Sequence, residues 1–279
     1  MELAHVAGAL ASAALHAGWN AAVKASPRPR EAMTAQMAVG AVLVVPGLLW
    51  TGLPAPASWT WIAASTALNW VTVTALLQAY RLAGFGLVYP IVRAFSVLLV
   101  VPAAAILSGE TLTPAGLAGV GLIAASLMLL AAGGRAPGGL PRAGLMWTLL
   151  AATATAAYVM CDAQGVRRAG SPLAYGFAVS ITNAVLMLLM EHSRAAGGRR
   201  GLAGEVVRAA PIAAAAVASY LLILWVWSVA PIAPAAALRD TSAVLAILIA
   251  VLWLKEPFTP LRLAAVLLSA AAVPLLRLA

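Results

Sequence analysis

Ten apolar stretches follow one another along the chain: 3–23, 32–52, 59–81, 85–107, 113–132, 143–165, 172–191, 208–229, 232–254 and 259–278. Roughly 20 consecutive apolar residues cross a hydrocarbon core as a helix. A segment in lipid must also satisfy its own backbone hydrogen bonds. The pattern therefore predicts an all-α integral membrane protein with ten transmembrane helices. Proline, glycine and charge mark the breaks, at Lys24 to Glu31, Gly52 to Ser58, Gly109 to Pro114, Gly133 to Arg142 and Arg167 to Pro172. The longest connector, Glu191 to Arg208, is rich in glycine and arginine. The first stretch follows Glu2 where a signal peptide would carry positive charge, so it reads as a retained helix.

Displacing the chain by 146 residues lays Arg93 on Arg239, Ser96 on Ser242, Glu110 on Glu256, Thr113 on Thr259 and Pro114 on Pro260. A displacement of 142 residues lays His16 on Tyr158, Asn20 on Asp162 and Ala21 on Ala163. Alanine and leucine matches are cheap in so apolar a chain; arginine, glutamate and Thr-Pro in one register are not. The chain thus reads as a duplication, residues 1–134 and 141–279, with five helices in each copy. An odd number of spans makes the second copy enter from the opposite side of the membrane. Two inverted five-helix repeats are a transporter architecture, with the substrate near the midplane between them.

Only 9% of the 279 residues are charged and 63% are apolar, against about 25% charged in soluble domains. The net charge of +9 does not point to nucleic acid, because the basic residues are spread over span ends. One set of alternate connectors carries Lys24, Arg28, Arg30, Arg81, Arg135, Arg142, Arg194, Arg199, Arg200, Arg208, Lys255 and Arg262. The other carries only Arg167, Arg168 and Arg277. Cytoplasmic loops attract lysine and arginine, so the connector from Lys24 to Glu31 is expected in the cytoplasm and both termini in the periplasm. Cys161 stands alone, which excludes an intramolecular disulfide.

Arg93 and Arg239 are the two basic residues left inside apolar spans, and they are a repeat-matched pair. A charge at membrane depth costs about 2.5–3.5 kcal/mol on the gentler scale and normally faces a cavity or a partner. Two readings stand side by side. Both cations line the pathway and attract an anionic group, or Arg239 pairs with Asp240 or Asp162 while Arg93 holds carbonyls of a proline-broken helix. Pro90 and Pro102 lie in the fourth span, and the ninth begins Pro231-Ile-Ala-Pro234. Proline frees a backbone carbonyl, and interruptions in matching helices of two halves point to a transport site. The cavity is therefore expected against spans four and nine.

Other polar groups within the spans are His16, Asn20, Asn69, Gln78, Asp162 and Asn183. His16 and Asn20 share a helix face, with Trp19 beside it, and Tyr158 and Asp162 repeat that spacing. Trp70, Tyr80, Tyr89, Tyr220 and Trp227 are candidates to wall a cavity. Trp50, Trp59, Trp61, Trp147 and Trp253 lie at span ends, where aromatic belts form.

The segment from His16 to Lys24, His-Ala-Gly-Trp-Asn-Ala-Ala-Val-Lys, resembles the Trp-x-Asn first helix of EamA-type carriers of the drug/metabolite transporter superfamily. The stretch from Ala75 through Tyr80 and Pro90 to Gly109-Glu110 and Thr113-Pro114 resembles that family's third-to-fifth helices. The copy ending Leu254-Lys-Glu256-Pro-Phe-Thr-Pro260 resembles its second occurrence, so the likeness spans essentially the whole chain. It implies a ten-helix monomer that exports metabolites, often amino acids, from the bacterial cytoplasm, and it looks most like the aromatic amino-acid branch. Carried onto this chain, the family's pocket positions are His16, Trp19, Asn20, Tyr80, Tyr89 and Pro90. The small multidrug members use a glutamate of the first helix for proton exchange. No carboxylate lies in that span here, which counts against proton antiport.

Together these features describe an alternating-access exporter of neutral or aromatic amino acids in the bacterial inner membrane. Its partners are the lipid bilayer and a small molecule, with no nucleic acid, cofactor or metal. Substrate is expected at His16, Trp19, Asn20, Asn69, Gln78, Tyr80, Tyr89, Tyr158, Asp162, Trp227 and Arg239, with Pro90, Arg93, Pro234 and Asp240 shaping the helix breaks. The alternative is a proton-coupled exporter of cationic drug-like or lipid-linked molecules. A membrane enzyme is disfavoured, because neither His-Glu-x-x-His nor Gly-x-Ser-x-Gly occurs. A reporter that is active only in the cytoplasm, fused to the C-terminus, is expected to stay dark; a signal there reverses the predicted orientation.

Overall fold

The computed structural model describes residues 1–83, 85–133, 140–194, 202–253 and 259–279. The helices are α1 (Leu3–Ala25), α2 (Pro29–Thr51), α3 (Trp59–Ala83), α4 (Phe85–Ser108), α5 (Pro114–Gly133) and α6 (Arg142–Arg168). They continue with α7 (Pro172–Arg194), α8 (Leu202–Val229), α9 (Ile232–Asp240), α10 (Ser242–Trp253) and α11 (Pro260–Arg277). No strand occurs among the described residues. The protein is an all-α membrane protein, and its helices follow the ten apolar stretches with the ninth divided into α9 and α10. Among the described residues, nine stretches are long and apolar enough to cross a membrane, Ile232–Ile249 counting as one. Helix α1 matches them in length at 23 residues but is diluted by His5, His16 and Asn20.

Burial is inverted relative to a soluble protein. Leu49, Ile106 and Leu252 are 80%, 82% and 80% exposed, a surface that only lipid covers without penalty. Trp50 at the end of α2 is also exposed. The interior is packed largely from alanine, valine and glycine, because close helix approach rather than a hydrophobic drive holds membrane helices together.

Helix α3 packs on α6 and α1 on α8; α2 packs on α7 and α5 on α11; α4 packs on α6, and α1 on α9 and α10. Exchanging each of the first five spans with its counterpart five later returns the same pairs. The two self-paired contacts are close. A Cβ on Gly47 would lie 2.6 Å from the Phe177 ring, and one on Gly119 would lie 2.8 Å from Leu276. Polar groups cross between the halves as well, with Ser12 Oγ donating to Ser219 O at 2.6 Å and Ser126 Oγ donating to Ala265 O at 2.7 Å.

The chain does not break where its prolines suggest. Helix α4 runs unbroken through Pro90 and Pro102, while Pro234 sits in the first turn of α9, where a missing N–H costs nothing. The break in the ninth span falls at Thr241. Its N–H and hydroxyl both turn back to Leu238 O, at 3.2 and 2.7 Å, closing a tighter turn than the α-helix. Arg135, Arg199, Arg200, Lys255 and Glu256, named above as topology or repeat markers, lie outside the described residues, as do the side chains of Lys24, Arg30, Arg194, Arg208 and Trp253.

A charged tie closes the end of the bundle opposite the α1–α2 connector. Glu110 accepts from Ile232 N, at 3.0 and 2.8 Å, at the start of α9, where the helix dipole favours an anion. Arg167 reaches Glu110 at 3.2 Å and donates to Trp227 O at 2.9 Å and Ala230 O at 2.8 Å, capping the end of α8. Glu110→Ala is expected to lower stability by on the order of 2–3 kcal/mol, the loss of a few charge-assisted hydrogen bonds. Thermal unfolding of the detergent-solubilised protein measures it.

Candidate functional site

Two buried polar constellations lie inside the helix bundle. Arg93, Asp162, Arg239 and Asp240 are the buried charged residues among the described ones, each at most 7% exposed. Arg93 of α4 is ion-paired with Asp240 at the end of α9. A carboxylate next to an irregular stretch of backbone is thereby neutralised inside the bundle rather than in lipid.

Asp162 of α6 collects three hydroxyl donors. Ser65 Oγ and Tyr175 OH donate to Oδ1 at 2.6 and 3.2 Å, and Tyr220 OH donates to Oδ2 at 2.8 Å. Hydroxyls aimed at both oxygens suit the carboxylate form, since a protonated oxygen must itself donate.

Arg239 is the odd charge. Its guanidinium lies 5.7 Å from the Trp227 ring centroid, and its Nε has no hydrogen-bond partner. In the repeat register that lays Arg93 on Arg239, Asp240 falls on Ala94. The first copy therefore supplies no second aspartate to complete a second pair.

Asp162 and Arg239 line the same cavity, of about 220 Å³. An engineered cavity of about 150 Å³ suffices to hold benzene, so a ring-bearing solute fits. His16 and Trp19 of α1, packed edge-on with centroids 5.0 Å apart, form part of the wall. Asn69 of α3, Tyr158 of α6 and Asn183 of α7 line it too. His16 Nδ1 and Asn183 Oδ1 are buried without partners, so the wall offers unused hydrogen-bonding atoms to a guest.

Six expected binding residues, His16, Trp19, Asn69, Tyr158, Asp162 and Arg239, are thus brought together. Five others are placed elsewhere. Asn20 Nδ2 is spent on His16 O of its own helix at 2.8 Å. Gln78 accepts from Arg81 Nη1 at 3.5 Å near the end of α3. Tyr80 and Tyr89 lie within electrostatic reach of Arg93. Trp227 is fully buried beneath Arg239.

The cavity is built only in part where expected, with span nine lending it Arg239. Helix α4 contributes no lining residue, whereas α2, which sequence reasoning passed over, contributes Met33, Gln36, Met37 and Gly40. Their i, i+3, i+4, i+7 spacing marks one helix face. That signal was present in the sequence, but most of α2 shares its apolar character. Ser65, the shortest contact to Asp162, carries no such signal.

The geometry defines a polytopic helical carrier with a charged, ring-sized chamber between its helices. Residues 142–278 match the model of the EamA-like transporter family, and this half of the chain is an EamA-like domain of the drug/metabolite transporter superfamily. The protein is accordingly a multi-pass membrane transporter of small molecules. A solved crystal structure, described only as that of a protein, superposes with a TM-score of 0.73 over 97% of this chain and 94% of that chain. At 19% identity this likeness shows the fold. No curated protein matches the chain by sequence.

Arg93→Met is expected to cost about 3–5 kcal/mol by stranding Asp240 in the interior. The double variant Arg93→Met/Asp240→Leu is expected to recover most of that loss. Melting temperatures in detergent test the pair, and a double variant no more stable than the single one removes the coupling.

Proposed function

We propose that this protein exports neutral amino acids with aromatic or large apolar side chains, by alternating access between two inverted halves, residues 1–134 and 141–279. The observation that carries this reading is charge balance in the chamber. Its charged lining residues, Arg239 and Asp162, sum to zero, and Arg93 and Asp240 neutralise each other in their own ion pair. A chamber for cations needs net negative charge and one for anions net positive, because a low-dielectric interior magnifies any imbalance. A zwitterion leaves the balance intact. Its carboxylate goes to Arg239, the arginine without an ion-pair partner in the repeat register, and its ammonium to Asp162.

Wall position supports a direction. His16 and Trp19 belong to the later part of α1, and Met33, Gln36 and Met37 to the earlier part of α2. These residues carry the chamber toward the α1–α2 connector, while Ser65, Asp162 and Ser180 line it toward the other end, where the Glu110–Arg167 tie closes the bundle. With that connector cytoplasmic in a bacterial inner membrane, a monomer in this state receives substrate from inside, as an exporter requires. Release then needs the outer tie to open. Facilitated diffusion needs no titrating group.

The second reading, proton-coupled export of cationic drug-like molecules, has Asp162 in its favour, since a membrane carboxylate suits cation–proton exchange. Arg239 in the same chamber counts against it. Purified protein in liposomes loaded with labelled phenylalanine separates the two. Efflux without a pH gradient is expected, and Arg239→Gln or Asp162→Asn is expected to reduce it. One charge-assisted contact of about 1.5–3 kcal/mol amounts to about ten- to a hundred-fold. Efflux that demands an imposed proton gradient, or transport of a cationic dye but no amino acid, would falsify the zwitterion reading.

A further inference from the structure

Helix α2 brings a second kind of surface into the chamber. Met33, Gln36, Met37 and Gly40 form one continuous stripe of that helix. Helix α2 packs chiefly on α7 and α8, whereas α6 and α9, which carry Asp162 and Arg239, pack chiefly on α3, α4 and α1. The α2 stripe and the charged end of the chamber therefore come from different parts of the bundle. A zwitterion held by its head at Asp162 and Arg239 has its side chain left to meet the rest of the wall.

We infer that this α2 face selects the side chain of the transported amino acid, with Gly40 setting how long and wide a side chain is admitted. The inference rests on the zwitterion reading above and adds to it the residues that discriminate one amino acid from another. Three observations lead to it. Gly40 is buried at the midpoint of the 23-residue α2. A Cβ there would lie 3.4 Å from Val217 Cγ2 and 3.9 Å from Ala213 Cβ, both on α8. One carbon is accommodated in ordinary contact on that side, and a longer side chain has the chamber as its free space.

Met33 and Met37 flank this point on the same stripe. Thioether side chains are flexible and polarisable, adapt to differently shaped apolar partners and contact aromatic rings favourably. Val73, Ala216 and Val217 complete an apolar lining near them. A wall of this kind admits aromatic and bulky aliphatic side chains and gives little purchase to short polar ones. Its discrimination is graded by size, since one methylene more or less in an apolar pocket changes selection by about ten- to two-hundred-fold.

The test is the ratio of labelled tryptophan to labelled alanine efflux from liposomes holding purified protein, each measured as kcat/KM. Gly40→Leu is expected to lower that ratio by at least about tenfold, because the added branches take up the room used by the large side chain. Met37→Ala, which trims the opposite bulk, is expected to raise it several-fold. Met33→Ala is expected to act in the same direction. Opposite shifts from filling and trimming one stripe are not produced by loss of fold, and the trimming variants carry the test should Gly40→Leu not fold. Ratios within twofold of the wild type in all three variants, with the wild type active on both substrates, overturn the selectivity role and leave the zwitterion reading standing. A wild type that moves neither amino acid overturns both.

Discussion

Charge inside hydrocarbon must be matched within the protein, and the interior of this transporter is arranged around that constraint. Arg93 and Asp240 meet where the ninth span breaks, so the irregular backbone, the carboxylate and the guanidinium neutralise one another in one place. An isolated partner would carry a desolvation cost of several kcal/mol. The pairing joins α4 of the first half to α9 of the second, which makes it a structural cross-link as well as a charge match. Helix α9, only nine residues long and buried throughout, is thereby held at its inner end by Arg93 and at its outer end by Glu110. Arg239, one residue before Asp240, inherits its position from both.

Repetition in the sequence and asymmetry in the chemistry are complementary. Helix pairs exchange into one another between the halves, yet the charges do not. Asp240 has Ala94 in its register, and Asp162 has Asn20. Asn20 spends its amide on its own helix, whereas Asp162 gathers hydroxyls from α3, α7 and α8. The charged groups that face the cavity thus lie on α6 and α9, the thioether wall comes from α2, and aromatic and amide groups come from both the first five and the later helices.

Helix number, approximate span boundaries and the presence of Arg239 and Asp162 within the spans were legible in the chain alone. Each depends on local composition: a span must be about 20 apolar residues long, and a charge within one must have a reason to be there. The same logic grouped His16 with Asn20, and Tyr158 with Asp162, by i, i+4 spacing; the cavity takes His16, Tyr158 and Asp162, while Asn20 bonds its own helix. It misjudged the prolines of α4, since neighbouring helices let a membrane helix continue past a lost donor. The break came instead at Thr241, where a tertiary ion pair draws Asp240 aside.

What the chain determined unaided was a membrane-spanning helical bundle with a few charges inside it, because lipid enforces length and polarity residue by residue. Which of those charges are already paired, and which face the cavity, was decided by three-dimensional packing. Arg93 and Arg239 fall on one another in the repeat register, and the structure pairs Arg93 with Asp240 while Arg239 lies against Trp227 and the cavity. The α2 wall likewise emerged from packing, since an apolar stripe facing lipid and one facing a chamber obey the same hydrophobic rule.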